Sequence, residues 1–305
     1  MQTFYSNGKL LITAEYLVLF GAKALALPTQ KGQNLVVNKT NTSLINWTSF
    51  NANNQVWLQS SFSILDVIQN NQKHDSYTNT LIHILHQTYI QNQTFWIEAT
   101  GFEVKTHLFF DKNWGLGSSS TLLNNIANWV QVDPYKILKE TFTGSGYDLA
   151  CAKHNTPILY QLVNHNPVIE EIIFDPSYKN NIFFVYLNQK QSSKQAIKNL
   201  LNSVTDYTHI IEAVNLITSE IIKAKKLVDF EVAVNKHENL ISSFLQQPKV
   251  KDVLFPDFKG SVKSLGAWGG DFVMVTSETN PTEYFKNKGY QTILTYNEMI
   301  LKSQS

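Results

Sequence analysis

Hydrophobic and polar positions alternate between two patterns along this 305-residue chain. The segments "GKLLITAEYLVLF", "NLVVNKTNTSLINWTSF" and "VWLQSSFSI" concentrate β-branched and aromatic residues, which predicts strands. "YTNTLIHILHQTYI" has helical spacing and places Tyr77, Leu81, Ile82, Leu85 and Tyr89 on one face. "TFWIEATGFEVKTHLFFD" returns to extended patterning, read as two strands bent at Gly101. A second amphipathic helix carries Leu122, Leu123, Ile126, Ala127 and Val130. "DPYKILKE" adds a short one, with Asp133 as cap and Pro134 at the first helical position.

From about residue 175 the pattern restarts. "NNIFFVYLNQ" reads as a buried strand, and Ile210, Val214, Ile217 and Ile221 mark a helix. "DFEVAVNKHENLISSFL" is a further helix. "SVKSLGAWGGDFVMVTS" is a glycine turn entering a strand, and "GYQTILTYN" a terminal strand. No internal repeat or low-complexity linker interrupts the chain. The expectation is an α+β protein in two halves, 1–175 and 176–305, divided at the polar stretch "FDPSYKNN".

Composition narrows the classes of function. A net charge of +1 gives no general attraction to nucleic acid or an anionic membrane, so neither is expected as a partner. No apolar run reaches the length of a membrane span. The N-terminus has neither a basic leader nor a small-residue cleavage site, so no signal peptide is expected. Cys151 is the single cysteine, which excludes an intrachain disulfide and fits a reducing cytoplasm. The eight histidines are scattered, without the spacing of a zinc site.

Candidate chemistry begins at "NWGLGSSSTLLNNIANW", Asn113 to Trp129. Only 13 glycines occur in the chain, yet two of them bracket Leu116 ahead of three serines and a helix. An ordinary capped helix start explains this pattern. So does an anion cradle, in which backbone N–H groups and hydroxyls hold a phosphate. Two further glycine turns, "GSGYD" at Gly144 and "GAWGGD" at Gly266, accompany it, as does "NGKLLITAEY" near the start.

In order and placement these four stretches resemble the motifs of the GHMP kinases. That superfamily includes galactokinase, homoserine kinase, mevalonate kinase and phosphomevalonate kinase. Gly115, Leu116, Gly117, Ser118 and Ser119 match its signature P-x-x-x-G-L-G-S-S-A-A; Asp111 stands where proline is usual and Ser120 replaces the first alanine. Gly8, Lys9, Glu15 and Tyr16 match the first motif, while Asn7 and Ala14 depart from it. Gly266, Ala267, Gly269, Gly270 and Asp271 match the third, where Trp268 replaces a glycine and Phe272 a cysteine. The resemblance spans essentially the whole chain. It points to the mevalonate and phosphomevalonate kinase branch, and "GSGYDLACA" is similar to a bacterial GHMP group carrying G-Y-D-I-A.

The resemblance implies the two-domain GHMP kinase fold, with a ribosomal protein S5 domain 2-like N-terminal domain and a ferredoxin-like C-terminal domain. It implies ATP and Mg²⁺ as cofactors and a small mevalonate-like acid as acceptor. Trp114 and the turn Gly115–Ser120 would bind the nucleotide, with the Ser119 hydroxyl helping to coordinate Mg²⁺. Asp148 would accept or orient the proton of the substrate hydroxyl, with Lys9 beside it. Phosphoryl transfer needs this kind of positioning and charge neutralisation more than covalent help. Glu15, Tyr16, Gly146, Ser193, Gly266, Ala267, Trp268 and Gly269 fall on the substrate side by the same resemblance. Glu15 would shape the pocket or support Lys9. Ser192, Ser193 and Lys194 read equally as substrate contacts and as a solvated helix start.

Trp268 would cap the nucleotide, pack between domains or obstruct the site. In mevalonate kinases a glutamate upstream of the motif aspartate helps bind magnesium; that spacing falls on Ile137, with Glu140 one turn away. Ser119 and Asp148 are about 29 residues apart, a short connector for the superfamily. These departures leave room for a GHMP-fold protein that binds nucleotide without turnover. A mevalonate-pathway decarboxylase is disfavoured, because its opening pattern A-P-x-N-I-A-x-x-K-Y-W-G-K is absent. Oligomeric state is not encoded in any of these motifs.

Overall fold

A computed structural model describes residues 1–189 and 206–302. Ser192, Ser193 and Lys194 lie outside the described residues. The chain divides into two compact units, each assembled from separate stretches. Unit one holds residues 1–8, 31–112 and 116–153; unit two holds 9–30, 113–115 and 154–305. Two long strands, β1 (Gln2–Leu11) and β2 (Ala24–Lys39), run from one unit into the other along the sequence.

In unit one the second half of β2 pairs antiparallel with β5 (Phe102–Leu108). β5 pairs parallel with β3 (Leu44–Phe50), and β3 pairs antiparallel with β4 (Val56–Ser63). The strands alternate as a half-buried sheet requires: Ile45 and Trp47 on β3, and Phe102 and Val104 on β5, turn to the core. Helices α1 (Ile64–Gln69), α2 (Ser76–Gln91), α3 (Gln93–Ile97), α4 (Ser118–Val130), α5 (Pro134–Thr141) and α6 (Tyr147–Lys153) belong to this unit. Leu85, Trp96, Ile126 and Trp129 join the sheet residues in one continuous core. Trp96, Phe102 and Trp129 meet edge to face, the preferred aromatic geometry.

Several local expectations hold. Asp133 caps α5 by accepting from the Tyr135 N–H, with Pro134 next in line. Leu81, Ile82 and Leu85 are buried on α2. Two expectations need correction. Tyr77 is exposed: it lies in the first turn of α2 and packs edge-on against Trp57 of β4. "TFWI" is helical, not a strand: Asn92 accepts from the Phe95 N–H and starts α3, and Trp96 is buried with its indole N–H on Thr88 Oγ1. Local capping outweighs the aromatic strand signal there.

In unit two the hairpin β6 (Ile158–Val163) and β7 (Asn166–Glu171) adds to residues Ala24–Ala26 of β2. Its two-residue turn uses Asn164 at φ 50° and His165 at φ 62°, the left-handed pair that suits strand twist. A second antiparallel sheet has four strands, β8 (Ile182–Tyr186), β9 (Val262–Leu265), β10 (Phe272–Thr276) and β11 (Ile293–Thr295). Their order is β11-β8-β10-β9. Helices α7 (Thr208–Lys223), α8 (Leu227–Leu245), α9 (Val250–Leu254), α10 (Thr282–Asn287) and α11 (Tyr296–Met299) complete the unit. Phe183, Val185, Phe255, Val273 and Phe285 form its core. The terminal strand is only three residues, because Thr295 starts α11 through a capping box with Glu298.

Candidate active site

The site residues of unit one gather at the start of α4. Gly117 is the N-cap at φ 84°, a conformation that costs glycine nothing, and no side chain caps the helix. The first-turn N–H groups are therefore open to an acceptor, and no acidic residue in that turn competes for them. Ser119 is exposed, Ser118 half-buried and Ser120 buried. The helix is anchored from behind: Thr121 Oγ1 donates to Gln33 Oε1 at 2.7 Å, and Asn125 Nδ2 to the Gln33 carbonyl at 2.9 Å.

Asp148 lies beside this helix start. It follows Gly146, at φ 85°, where a Cβ would press into the Tyr135 and Leu138 side chains at 3.1 and 3.2 Å. Glycine lets the turn close onto α5 and deliver Asp148 to the first turn of α6. Its Oδ2 accepts from Ser120 Oγ at 2.7 Å and its Oδ1 from the Leu149 N–H at 3.0 Å. The Tyr135 hydroxyl is buried nearby without a hydrogen-bond partner. Burial, then the neighbouring Cys151, Asp148 and Asp133, push its pKa up, so the phenol stays neutral. Ile137 is buried in the core and Glu140 is exposed. The spacing that suggested a second magnesium ligand therefore falls on a packing residue. Among the described residues no group of three or more His, Cys, Asp or Glu could hold a metal ion.

In unit two the first and third motifs meet, with Gly115 joining them. The Tyr16 hydroxyl accepts from the Trp268 N–H at 2.8 Å. Gly115, at φ 66°, lies so close to Asp271 that a Cβ there would fall on its carboxylate. The third turn is held by Gln189, whose carbonyl accepts from the Asp271 N–H at 2.9 Å and whose amide donates to the Gly269 carbonyl. Gly266, Gly269 and Asp271 take left-handed φ values, and Trp268 does not. The tryptophan thus occupies the turn without backbone strain. Its indole N–H donates to the Pro248 carbonyl at 3.0 Å and the residue is 6% exposed. Trp114 is half-buried against Phe272, edge to face at 5.5 Å. Lys9, half-buried, belongs to unit two, whereas Asp148 belongs to unit one.

Beneath the first motif is a buried polar cluster of which the sequence singled out only Glu15; expected to shape the pocket or support Lys9, it is fully buried and paired with Lys263. Glu15 and Lys263 are both 0% exposed, and the ammonium donates to Glu15 Oε1 at 2.5 Å, to the Ser264 carbonyl at 3.0 Å and to Glu238 Oε1 at 3.4 Å. His237 Nε2 accepts from the Ala14 N–H at 3.0 Å. That bond occupies the nitrogen lying 3.4 Å from Glu15 Oε2, so this contact is not an ion pair. Burial, then Lys263, hold the His237 pKa well below the ordinary range and keep the ring neutral. Burial raises the Glu15 pKa against the pull of Lys263. Glu238 is pushed up to about 7 by burial, with Lys263 lowering and Glu15 raising it. The cluster fixes the turn at Ala14 and Tyr16, whose φ values of 65° and 62° are costly for non-glycine residues. Lys263 was hidden because β9 is buried on both faces, so strand alternation gives it no outward position.

By sequence alone, no family model and no curated protein matches the chain. Solved structures do match along more than nine-tenths of both chains. The mevalonate kinase of Methanococcus jannaschii is 16% identical, with a TM-score of 0.72 over 99% of this chain and 98% of that one. Streptococcus pneumoniae phosphomevalonate kinase, in complex with phosphomevalonate and AMPPNP, is 14% identical, with a TM-score of 0.70 over 94% and 96%. Lactococcus lactis galactokinase, complexed with galactose, is 10% identical, with a TM-score of 0.75 over 98% and 93%. The chain has the GHMP kinase fold. This likeness is one of architecture, and the acid and sugar kinases share it alike. Within the GHMP kinase fold the four motif stretches fall on a strand-to-turn segment, a helix start and two glycine turns. No described helix is long and apolar enough to cross a membrane.

Proposed function

We propose that this chain is an ATP-dependent small-molecule kinase of the GHMP type, acting on a hydroxyl or phosphate of a mevalonate-like acid in the cytoplasm. The observation that carries the reading is the Asp148 carboxylate, hydrogen-bonded at 2.7 Å to the first turn of an uncapped, glycine-started helix. An acceptor-binding carboxylate and a phosphate-binding helix end side by side are what phosphoryl transfer requires. The open N–H groups of α4 would bind the nucleotide phosphates. Mg²⁺, when bound, neutralises phosphate charge; it takes oxygen ligands and is held largely by the nucleotide, so the exposed Ser119 hydroxyl fits as its protein ligand. Asp148 would orient the acceptor hydroxyl and take its proton, and Lys9 would offset charge on the transferred group. In this reading residues 1–175 form the ATP-binding domain, with the third turn, Gly266 to Gly269, on the substrate side.

The test is ADP release with mevalonate, phosphomevalonate, homoserine and galactose, run on the natural protein and on Asp148→Asn. One acid should support turnover, and the variant should lose about 10²-fold or more in kcat with little change in ATP affinity. Near-normal turnover in Asp148→Asn would move the chemistry elsewhere. ATP binding without release of ADP would make the chain a nucleotide-binding protein on the same fold.

A further inference from the structure

Ser120 stands where the resembling signature carries alanine, one position beyond the serine pair that the nucleotide reading uses. It is 4% exposed, so its hydroxyl needs a protein partner. Serine is also a poorer helix former than alanine, so nothing in α4 itself favours it there. Its partner is not an α4 carbonyl, the usual recourse of a helical serine, but Oδ2 of Asp148 at 2.7 Å.

We infer that Ser120 is a positioning residue for Asp148 rather than a nucleotide contact; the inference rests on the kinase reading above and deepens it. A carboxylate can accept about four hydrogen bonds. The protein supplies one to each oxygen, from Ser120 Oγ and from the Leu149 N–H, and these fix the plane of the group. Each oxygen keeps acceptor capacity for a substrate hydroxyl. Without the serine, the carboxylate is tied to its own helix alone and can rotate about its side-chain bonds. The nearby Tyr135 hydroxyl does not substitute, because it makes no hydrogen bond. A small change in acceptor angle lowers the fraction of bound substrate poised for transfer, which acts on kcat and not on ATP affinity.

The experiment compares the natural protein with Ser120→Ala and Ser119→Ala. Alanine is smaller and helix-favouring, so both variants should fold. The first readout needs no substrate: the side-chain carboxyl carbon signal of Asp148 by NMR, assigned by its loss in Asp148→Asn. At constant pH it should move in Ser120→Ala and stay in place in Ser119→Ala. The second is kinetic: Ser120→Ala should lower kcat about tenfold at unchanged KM for ATP, and Ser119→Ala should raise that KM. An unmoved Asp148 signal in Ser120→Ala overturns the inference, as does a raised KM for ATP at normal kcat. If the natural protein releases no ADP with any acceptor, the kinase reading fails, and the substrate-free NMR comparison still decides whether Ser120 holds Asp148.

Discussion

Trp268 replaces a glycine of the resembling motif, and a tryptophan forced into a left-handed turn would be expensive. The structure avoids that cost by placing the positive φ values at residues 266, 269 and 271. The indole is then free to pack, with its N–H satisfied by the Pro248 carbonyl. Its role follows from burial: it holds the third turn against the segment before α9. Trp268→Ala should therefore destabilise the fold by about 3–5 kcal/mol, the range for truncating a buried aromatic. Urea unfolding measures this directly. ATP affinity in the folded fraction should not improve, and a tighter-binding variant of undiminished stability would assign the ring to the mouth of the site instead.

At the level of elements, the cluster joining the turn at Ala14, helix α8 and strand β9 makes unit two sensitive to pH. Glu238 titrates at about 7 when folded, against an ordinary value of 4.5. Between those values the folded chain keeps a proton that the unfolded chain releases. Stability is greatest below about 4.5, falls as pH rises toward 7 and is flat above it, a loss of roughly 3 kcal/mol for this group alone. Glu238→Gln removes the titration while keeping a side chain of the same size. Its melting temperature should exceed that of the natural protein at pH 8 and show less dependence on pH between 5 and 7. Parallel melting curves for both proteins would refute the assignment of this slope to Glu238.

Across the whole molecule, legibility in the sequence followed the range of the interactions involved. The start of α4 was readable because Gly117 acts within one turn, and the start of α5 because Asp133 and Pro134 do. "TFWI" departs from its strand-like pattern because its aromatics are overruled by one asparagine cap and one buried indole. The partners of the candidate site were beyond reach for a different reason. Ser120 with Asp148, Tyr16 with Trp268, and Glu15 with Lys263 pair residues distant in sequence. No local periodicity encodes such a pair. Motif order could bring these residues to attention without saying which atom holds which.

The crowding of Gly115 by the Asp271 carboxylate implies that these two positions cannot vary independently. Gly115→Ala alone sets a methyl group on a carboxylate and also strains a φ of 66°. Asp271→Gly removes the obstacle and suits the left-handed φ of 50° at its own position. The double substitution should thus be less damaging than the sum of its parts, by about 1 kcal/mol or more in a stability cycle. The strain at residue 115 would remain as the uncompensated portion. Additive effects would mean that the carboxylate simply swings aside. A coupled result would make the pair a covarying unit: drift at Gly115 would be permitted only by prior change at an aspartate far along the chain.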